Sequence, residues 1–370
     1  MSHSTPPGGT SWRTLAGPGA VFLGAAVLTA SVAVAGAGAA GPGPRIPVAA
    51  DATTTAIARG ARLLDPCSVT ADRGRVVDAT LVERTRVRVV DPVGAGRVTW
   101  QAGRVLAVAT VPGQCPESIV DADIDQITVD RLTGAPVPDG SAELEQLPAG
   151  SAGPPERARV DRRGLQYRFG PGVDPTRDYH YFDTATRADY PARFAGATQI
   201  GGVPVFRYVV DLPERRVIRP AAGFDRPAEG RLVRPAAWFP GYRGDDPTAP
   251  VTAQLYQSGH RTLFVEPRSG IVVKTDFRRD QYLRAGQYRL DYASGRFVSD
   301  DHSVAAQLAA ARAINDAHRL RVRVVPAITG VTGVIVLASG GWLIARRRRF
   351  RPRPAGSADP TGPAAGGSRS

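Results

Sequence analysis

Two uninterrupted apolar runs bracket this chain, and between them the hydrophobic positions come in short alternating stretches broken by Gly, Pro, Ser and acidic residues. The second run, Val324 to Ala345, is 22 residues long and apolar apart from Thr329, Thr332 and Ser339. At about 1.5 Å per residue such a helix spans about 33 Å, enough to cross a bilayer. The first run, Ala16 to Ala40, carries no charge and follows the lone Arg13, but Ala and Gly dilute its hydrophobic centre from Ala20 to Ala35. It reads as a membrane anchor or as a cleaved signal segment, since Ala33-Val34-Ala35 and Ala35-Gly36-Ala37 are small enough for a signal peptidase.

In the middle region one pattern recurs: a β-branched or alternating run, an acid, a small turn and a second run. It is found at Gln126 to Val137 (acid Asp130, glycine Gly134), at Leu263 to Lys274 (Glu266, Gly270) and at Tyr288 to Val298 (Asp291, Gly295). Tyr181 to Arg187 has the acid, Asp183, but no glycine. An acid accepting backbone amides two residues on, with glycine at the positive-φ position, closes a hairpin. The spacing between copies is irregular, which predicts an antiparallel meander rather than a solenoid or propeller. Val98 to Val111 and Val203 to Leu212 also read as strands, and the Pro-rich stretches 136–155 and 213–250 as surface loops. Helix is expected only near the end. Ser299-Asp300-Asp301 offers an N-cap, and Val304, Leu308, Ala311 and Ile314 share one stripe. This juxtamembrane helix would lead towards the apolar run, with Pro326 as a kink or restart point.

Charge orients these segments. Arg346, Arg347, Arg348 and Arg349 follow the second run directly, so the positive-inside rule places the C-terminus in the cytoplasm, with Trp342 at the interface. Arg13 does the same for a retained head. The chain then divides into a cytoplasmic head (1–15), an anchor or signal segment (16–40), a linker (41–50), an extracytoplasmic β domain (51–298), a juxtamembrane helix (299–323), a transmembrane helix (324–345) and a basic cytoplasmic tail (346–370), located at the plasma membrane. The net charge of +13 does not imply nucleic acid: nearly half of it lies in the tail, and the rest is interspersed with acids. Only Lys274 among the 47 basic residues is lysine, as a GC-rich coding sequence produces. The two cysteines, Cys67 and Cys115, both fall in the exported region, where an even pair reads as one disulfide worth roughly 4 kcal/mol in the chain-entropy model.

Chemical motifs are sparse. Asp121, Asp123 and Asp125 alternate, which on a strand puts three carboxylates on one face. They form either a solvated acidic strand or a site for a hard cation, although the glycine of a calcium loop is replaced by Gln126. His180, His260, His302 and His318 are dispersed, and no zinc-protease or nucleophile-elbow pattern occurs, so neither an enzyme nor a cofactor is expected.

The segments Gly164-Leu165-Gln166-Tyr167-Arg168-Phe169-Gly170, Tyr179-His180-Tyr181-Phe182-Asp183, Pro191-Ala192-Arg193-Phe194, Val205-Phe206-Arg207-Tyr208 and Leu263 to Gly270 together resemble the actinobacterial PorA-type porin family. The likeness covers most of Gln126 to Ala345 and implies an exported protein with a membrane segment near each end and a channel activity. A spanning barrel needs strands of about 9–11 residues with an unbroken lipid-facing set, whereas the runs here look shorter and are interrupted by Arg and Pro. The hairpins also resemble the half-barrel of bacterial lipoprotein carriers. In such a sheet the pairs Tyr167 and Phe169, Tyr179 and Tyr181, and Phe206 and Tyr208 would each point to one side, as a ligand-binding face or as packed core. The expectation is therefore a mainly β protein, a curved antiparallel meander or half-barrel, with a transmembrane helix near each end. Its expected role is that of a membrane-anchored envelope protein whose β domain binds a lipid, an envelope polymer or a protein. A channel is the alternative.

Overall fold

The computed structural model describes residues 12–40, 44–109, 119–147, 156–218 and 230–349. Alternation in the middle region produces fourteen strands: β1 (Asp51–Leu64), β2 (Val76–Val90), β3 (Arg97–Val108), β4 (Ile119–Asp130), β5 (Ala142–Leu147), β6 (Glu156–Arg159), β7 (Tyr179–Asp183), β8 (Ala188–Ile200), β9 (Val203–Arg216), β10 (Arg231–Pro235), β11 (Pro250–Val265), β12 (Val272–Ala285), β13 (Tyr288–Asp291) and β14 (Ala293–Ser299). All belong to one sheet in the order β6-β5-β4-β3-β2-β1-β14-β12-β11-β9-β8-β7, with β10 added to β11 and β13 to β12. Every pairing is antiparallel, and β1 against β14 joins the two halves of the meander. Among the described residues the sheet does not close. The chain beyond β6 instead runs along the free edge of β7, where the Leu165 N–H donates to the His180 carbonyl (2.7 Å) and the Phe182 N–H to that of Leu165 (3.0 Å).

The hairpin turns follow the acid-and-glycine logic. Asp130 accepts from the backbone of Leu132 (2.9 Å) and Thr133 (2.8 Å), and Glu266 from Arg268 (3.2 Å) and Ser269 (2.7 Å). Gly270 closes its turn at φ 74°, against the Phe169 carbonyl. Where the sequence lacks glycine, Arg187 adopts φ 49° itself, beside the bond from the Thr186 amide to Asp183 (2.9 Å). The third copy is not a hairpin: β13 and β14 both pair along β12 rather than with each other. Gly295 serves close packing instead, since a Cβ there would lie 2.9 Å from that of Ala61. The strands are also longer than their interrupted sequence suggests, with 14 residues in β1 and 16 in β11. Most of the interrupting positions, such as Pro191, Arg193, Pro204 and Arg207, face outward, while Arg104, Arg261 and Arg279 turn inward.

Residues 42–317 form one compact unit. Helix α2 (Asp301–Arg319) belongs to it up to Ala317 and starts as expected, with Asp300 accepting the Ser303 amide (2.8 Å). Leu308 and Ala311, flanked by Val304 and Ile314, pack on Val203, Val205, Ile271 and Val273. A π-helical turn, Leu320–Val324, follows it, and then α3 (Val325–Arg349), so the break in regular helix lies just before Pro326. Asp301 to Arg346 is one helical run of 46 residues containing an apolar window long enough to cross a membrane.

The second unit contains α1 (Trp12–Ala40) and α3. These two helices pack closely because glycines face the contact. A Cβ on Gly333 would lie 2.8 Å from Leu28 Cγ, and one on Gly24 2.6 Å from the Leu337 amide nitrogen. Ser31 Oγ donates to Thr329 Oγ1 across the pair (3.0 Å). Residues 1–11 and the tail from Phe350 lie outside the described residues, as does Cys115, on which the expected pairing with Cys67 depends. Arg13 falls within α1, and Arg346 to Arg349 end α3, where the Arg346 guanidinium lies 5.3 Å from the Trp342 ring centre.

Candidate functional site

Inside the β unit the concave side of the sheet encloses a cavity of about 410 Å³. Its wall comes from alternate residues of the long strands: Glu83, Thr85 and Val87 on β2, Trp100 and Arg104 on β3, Gln257, Arg261 and Leu263 on β11, and Thr275, Phe277 and Arg279 on β12. Ser303, Gln307, Ala310 and Ile314 of α2 complete it. Because the strand period is two, the neighbouring residues Arg84, Arg86 and Arg88 of β2 point outward and are exposed.

An ionic network crosses this interior. Arg104 stands directly opposite Asp123 in the β3–β4 register and binds it, while also donating to Asp121 (2.9 Å) and Glu83 (3.2 Å). Arg279 reaches Glu83 from β12. Burial opposes charge on Glu83, but Arg279, Arg104 and Arg261 outweigh it and hold the carboxyl down at about 2. Burial likewise disfavours charge on Arg104, and Asp123, Asp121 and Glu83 reverse the balance so that its pKa is raised. A second pair lies beside it. Arg162 holds Asp125 through two parallel bonds (2.8 and 2.9 Å), both side chains being fully buried, and the Tyr167 hydroxyl donates to the same carboxylate (2.6 Å).

The acidic row is therefore neither a solvated strand nor a cation site. Asp121, Asp123 and Asp125 face inward, and guanidinium groups occupy them; among the described residues no cluster of His, Cys, Asp and Glu is arranged to hold a metal. The aromatic set is brought together only in part. Phe169, Tyr179 and Tyr208 form a mutual triad with ring centres 5.1–5.5 Å apart, Phe206 packs on their cluster, and the faces of β9 divide as alternation requires. These are packed core. Tyr181 belongs to the same cluster and also reaches the cavity wall, whereas Tyr167 lies apart from it at that wall, fixed by Asp125.

Residues that sequence reasoning passed over matter more: Glu83, Arg104, Arg162, Arg168, Arg261 and Arg279. For Arg104, Arg261 and Arg279 the signal was an arginine at the inward parity of a strand; Glu83 shares that parity on β2, and Arg162 and Arg168 lie between β6 and β7, where no periodicity marks them. Arg168 donates to the Ser269 carbonyl (3.2 and 2.8 Å), and burial lowers its pKa to about 10, against the pull of Glu266. The Arg261 guanidinium lies 3.9 Å from the Phe277 ring centre and 5.0 Å from that of Tyr181.

An open antiparallel sheet around an arginine-rich cavity, together with a separate pair of apolar helices joined through glycines, defines a membrane-associated protein with a folded β unit. The sequence model of the family described as Porin PorA matches residues 16–342, and the chain belongs to that family. It is 25% identical over 326 residues to the Porin PorA of Corynebacterium resistens, covering 74% of this chain and 78% of that protein. It is 29% identical over 212 residues to the Porin PorA of Corynebacterium amycolatum, so this match spans about half the length of each chain, 53% in both cases. These findings overturn the reading of an envelope protein whose β domain binds a lipid, a polymer or a protein. The family and both relatives are named porins, which agrees with the alternative, a channel.

Proposed function

We propose that this chain is a channel-forming membrane protein whose pore is built by its apolar helices rather than by its sheet. The observation that carries the reading is the family match over residues 16–342, which takes in both helices and the β unit. The sheet is poorly suited to span lipid. Its outward face carries Arg84, Arg86 and Arg88 on β2, Arg278 on β12 and Arg296 on β14, and a charge facing mid-bilayer costs about 2–4 kcal/mol in a barrel.

The helix pair has the opposite character. Phe22, Leu23, Ile328, Val331 and Ile335 are exposed along it, as lipid-facing or interhelical positions should be. Its hydroxyls bond back to carbonyls four residues earlier, for example Thr332 to Ile328 (2.9 Å) and Ser339 to Ile335 (2.8 Å), which allows polar side chains at membrane depth. Thr332 and Ser339 are seven residues apart and both exposed, so they lie on one face of α3. Copies of the pair associating around that face give a lumen lined by hydroxyls. In this reading α1 is retained as a second transmembrane helix, Arg13 and Arg346–Arg349 keep both ends cytoplasmic, and the β unit is held outside the plasma membrane.

Purified full-length protein added to a planar bilayer should produce stepwise conductance. Modification of Thr332→Cys by an impermeant thiol reagent should lower the current of each step while leaving wild type unaffected. A bilayer that stays silent, or a Thr332→Cys channel indifferent to the reagent, refutes respectively the channel and the assignment of its lining.

A further inference from the structure

The cavity of the β unit has a property that pore formation does not use. Its carboxylates are all supplied with donors: Glu83 by Arg104 and Arg279, and Asp183 by the Thr186 amide (2.9 Å), the Thr186 hydroxyl (2.8 Å) and Gln257 Nε2 (3.1 Å). Its cations are not all bonded in return. Arg261 forms neither a hydrogen bond nor an ion pair with any described residue, and its Nε is buried without a partner. Among the described residues Arg168 donates only to the Ser269 carbonyl, a neutral acceptor.

Arg261 is also held in place. Its guanidinium lies over the rings of Tyr181 and Phe277, which fixes the plane of the fork and leaves its edge as the group able to bind. Tyr181 adds a hydroxyl at the same wall; burial raises its pKa, so it remains a donor. The surrounding wall is mixed, with Trp100, Leu263 and Val273 among the polar groups. A volume of 410 Å³ lies within the range of small-molecule sites, roughly 300–1,000 Å³.

We propose that this cavity is a binding site for a small organic monoanion, a carboxylate with a compact apolar body, whose charged end is received by Arg261 with Tyr181 and Arg168 as further donors. A planar guanidinium fork matches the two oxygens of a carboxylate, and Arg261, which acts on Glu83 only through space and bonds to no described residue, keeps its fork open for one. The apolar part of the wall takes the body. This inference is independent of whether the protein conducts, because it concerns a solute held within the β unit.

The test is equilibrium dialysis of the full-length protein in detergent against 2-naphthoate and its neutral isostere 2-naphthamide. Saturable retention of one naphthoate per chain is expected, with naphthamide bound at least tenfold more weakly. Arg261→Gln should weaken naphthoate at least tenfold while leaving naphthamide unchanged and the melting temperature close to that of wild type. No retention of naphthoate, or equal retention of the amide, overturns the proposal on wild-type protein alone, whatever the variant's stability. Unchanged naphthoate binding by folded Arg261→Gln overturns the role given to that residue.

Discussion

Replacing Glu83 by Gln tests whether the buried ionic network holds the sheet in shape. Glu83 joins strands far apart in the chain, since Arg104 lies on β3 and Arg279 on β12, and its carboxyl is depressed from 4.5 to about 2. A group whose folded pKa lies below its unfolded value stabilises the fold above the unfolded pKa and loses that contribution as pH falls through the folded one. The window is therefore pH 4.5 down to about 2, and the difference corresponds to roughly 3 kcal/mol. Gln keeps the shape and one acceptor but withdraws a buried charge that Arg279 and Arg104 share, although Arg104 still holds Asp121 and Asp123, so the loss at pH 7 should reach about 3–5 kcal/mol. For a unit of this size that is a fall in melting temperature on the order of 6–12 °C. Urea unfolding of the full-length protein in detergent, followed by tryptophan fluorescence, gives the comparison. Wild type and Glu83→Gln should differ by that amount at pH 7 and converge as pH drops from 4.5 towards 2. A gap that stays constant over that range, or a variant as stable as wild type at pH 7, would refute the reasoning.

Tyr167→Phe removes one donor from Asp125 while Arg162 keeps its two bonds, so the unfolding free energy from urea titration should fall by only about 1–2 kcal/mol. Arg162→Met leaves Asp125 buried without its counter-charge and should cost about 3–5 kcal/mol, clearly more than Tyr167→Phe in the same assay. Gly270→Ala places a Cβ against the Phe169 carbonyl at φ 74°; a loss above about 1 kcal/mol is expected, and a neutral result would contradict the turn as described. Gly333→Leu should separate α1 from α3, since even a Cβ would lie 2.8 Å from Leu28 Cγ. Proximity cross-linking of cysteines introduced at positions 31 and 329 should then drop relative to the same pair on a wild-type background.

The sequence predicted what depends on neighbours along the chain. Acid-plus-glycine turns at Asp130 and Glu266, the cap at Asp300, the stripe from Val304 to Ile314 and the apolar run ending in Arg346 are all local, and each is found where its residues place it. The exception among the turns is instructive. Asp291 and Gly295 meet the local rule, yet β12 is long enough to pair with both β13 and β14, so the chain passes along one partner instead of folding back on itself. Strand length was misjudged for a related reason: outward Arg and Pro interrupt an apolar run without interrupting a ladder, provided their neighbours still face inward.

What sequence could not reveal is who neutralises whom. Asp121, Asp123 and Asp125 share a face, and that parity was legible, but whether the face met water or arginine depended on which strands lay beside β4 and across the cavity. Arg104 comes to Asp123 only through the β3–β4 register, and the connection between those strands is too long to fix a register by its turn type. Arg279 meets Glu83 across 196 residues, and Arg162 meets Asp125 from the segment after β6 across 37. A long-range ion pair leaves no periodicity, and an inward arginine on a strand looks the same in sequence whether it is paired or free. That is why Arg104, which three carboxylates bind, and Arg261, which bonds to none among the described residues, could be separated only once the sheet had been assembled around them.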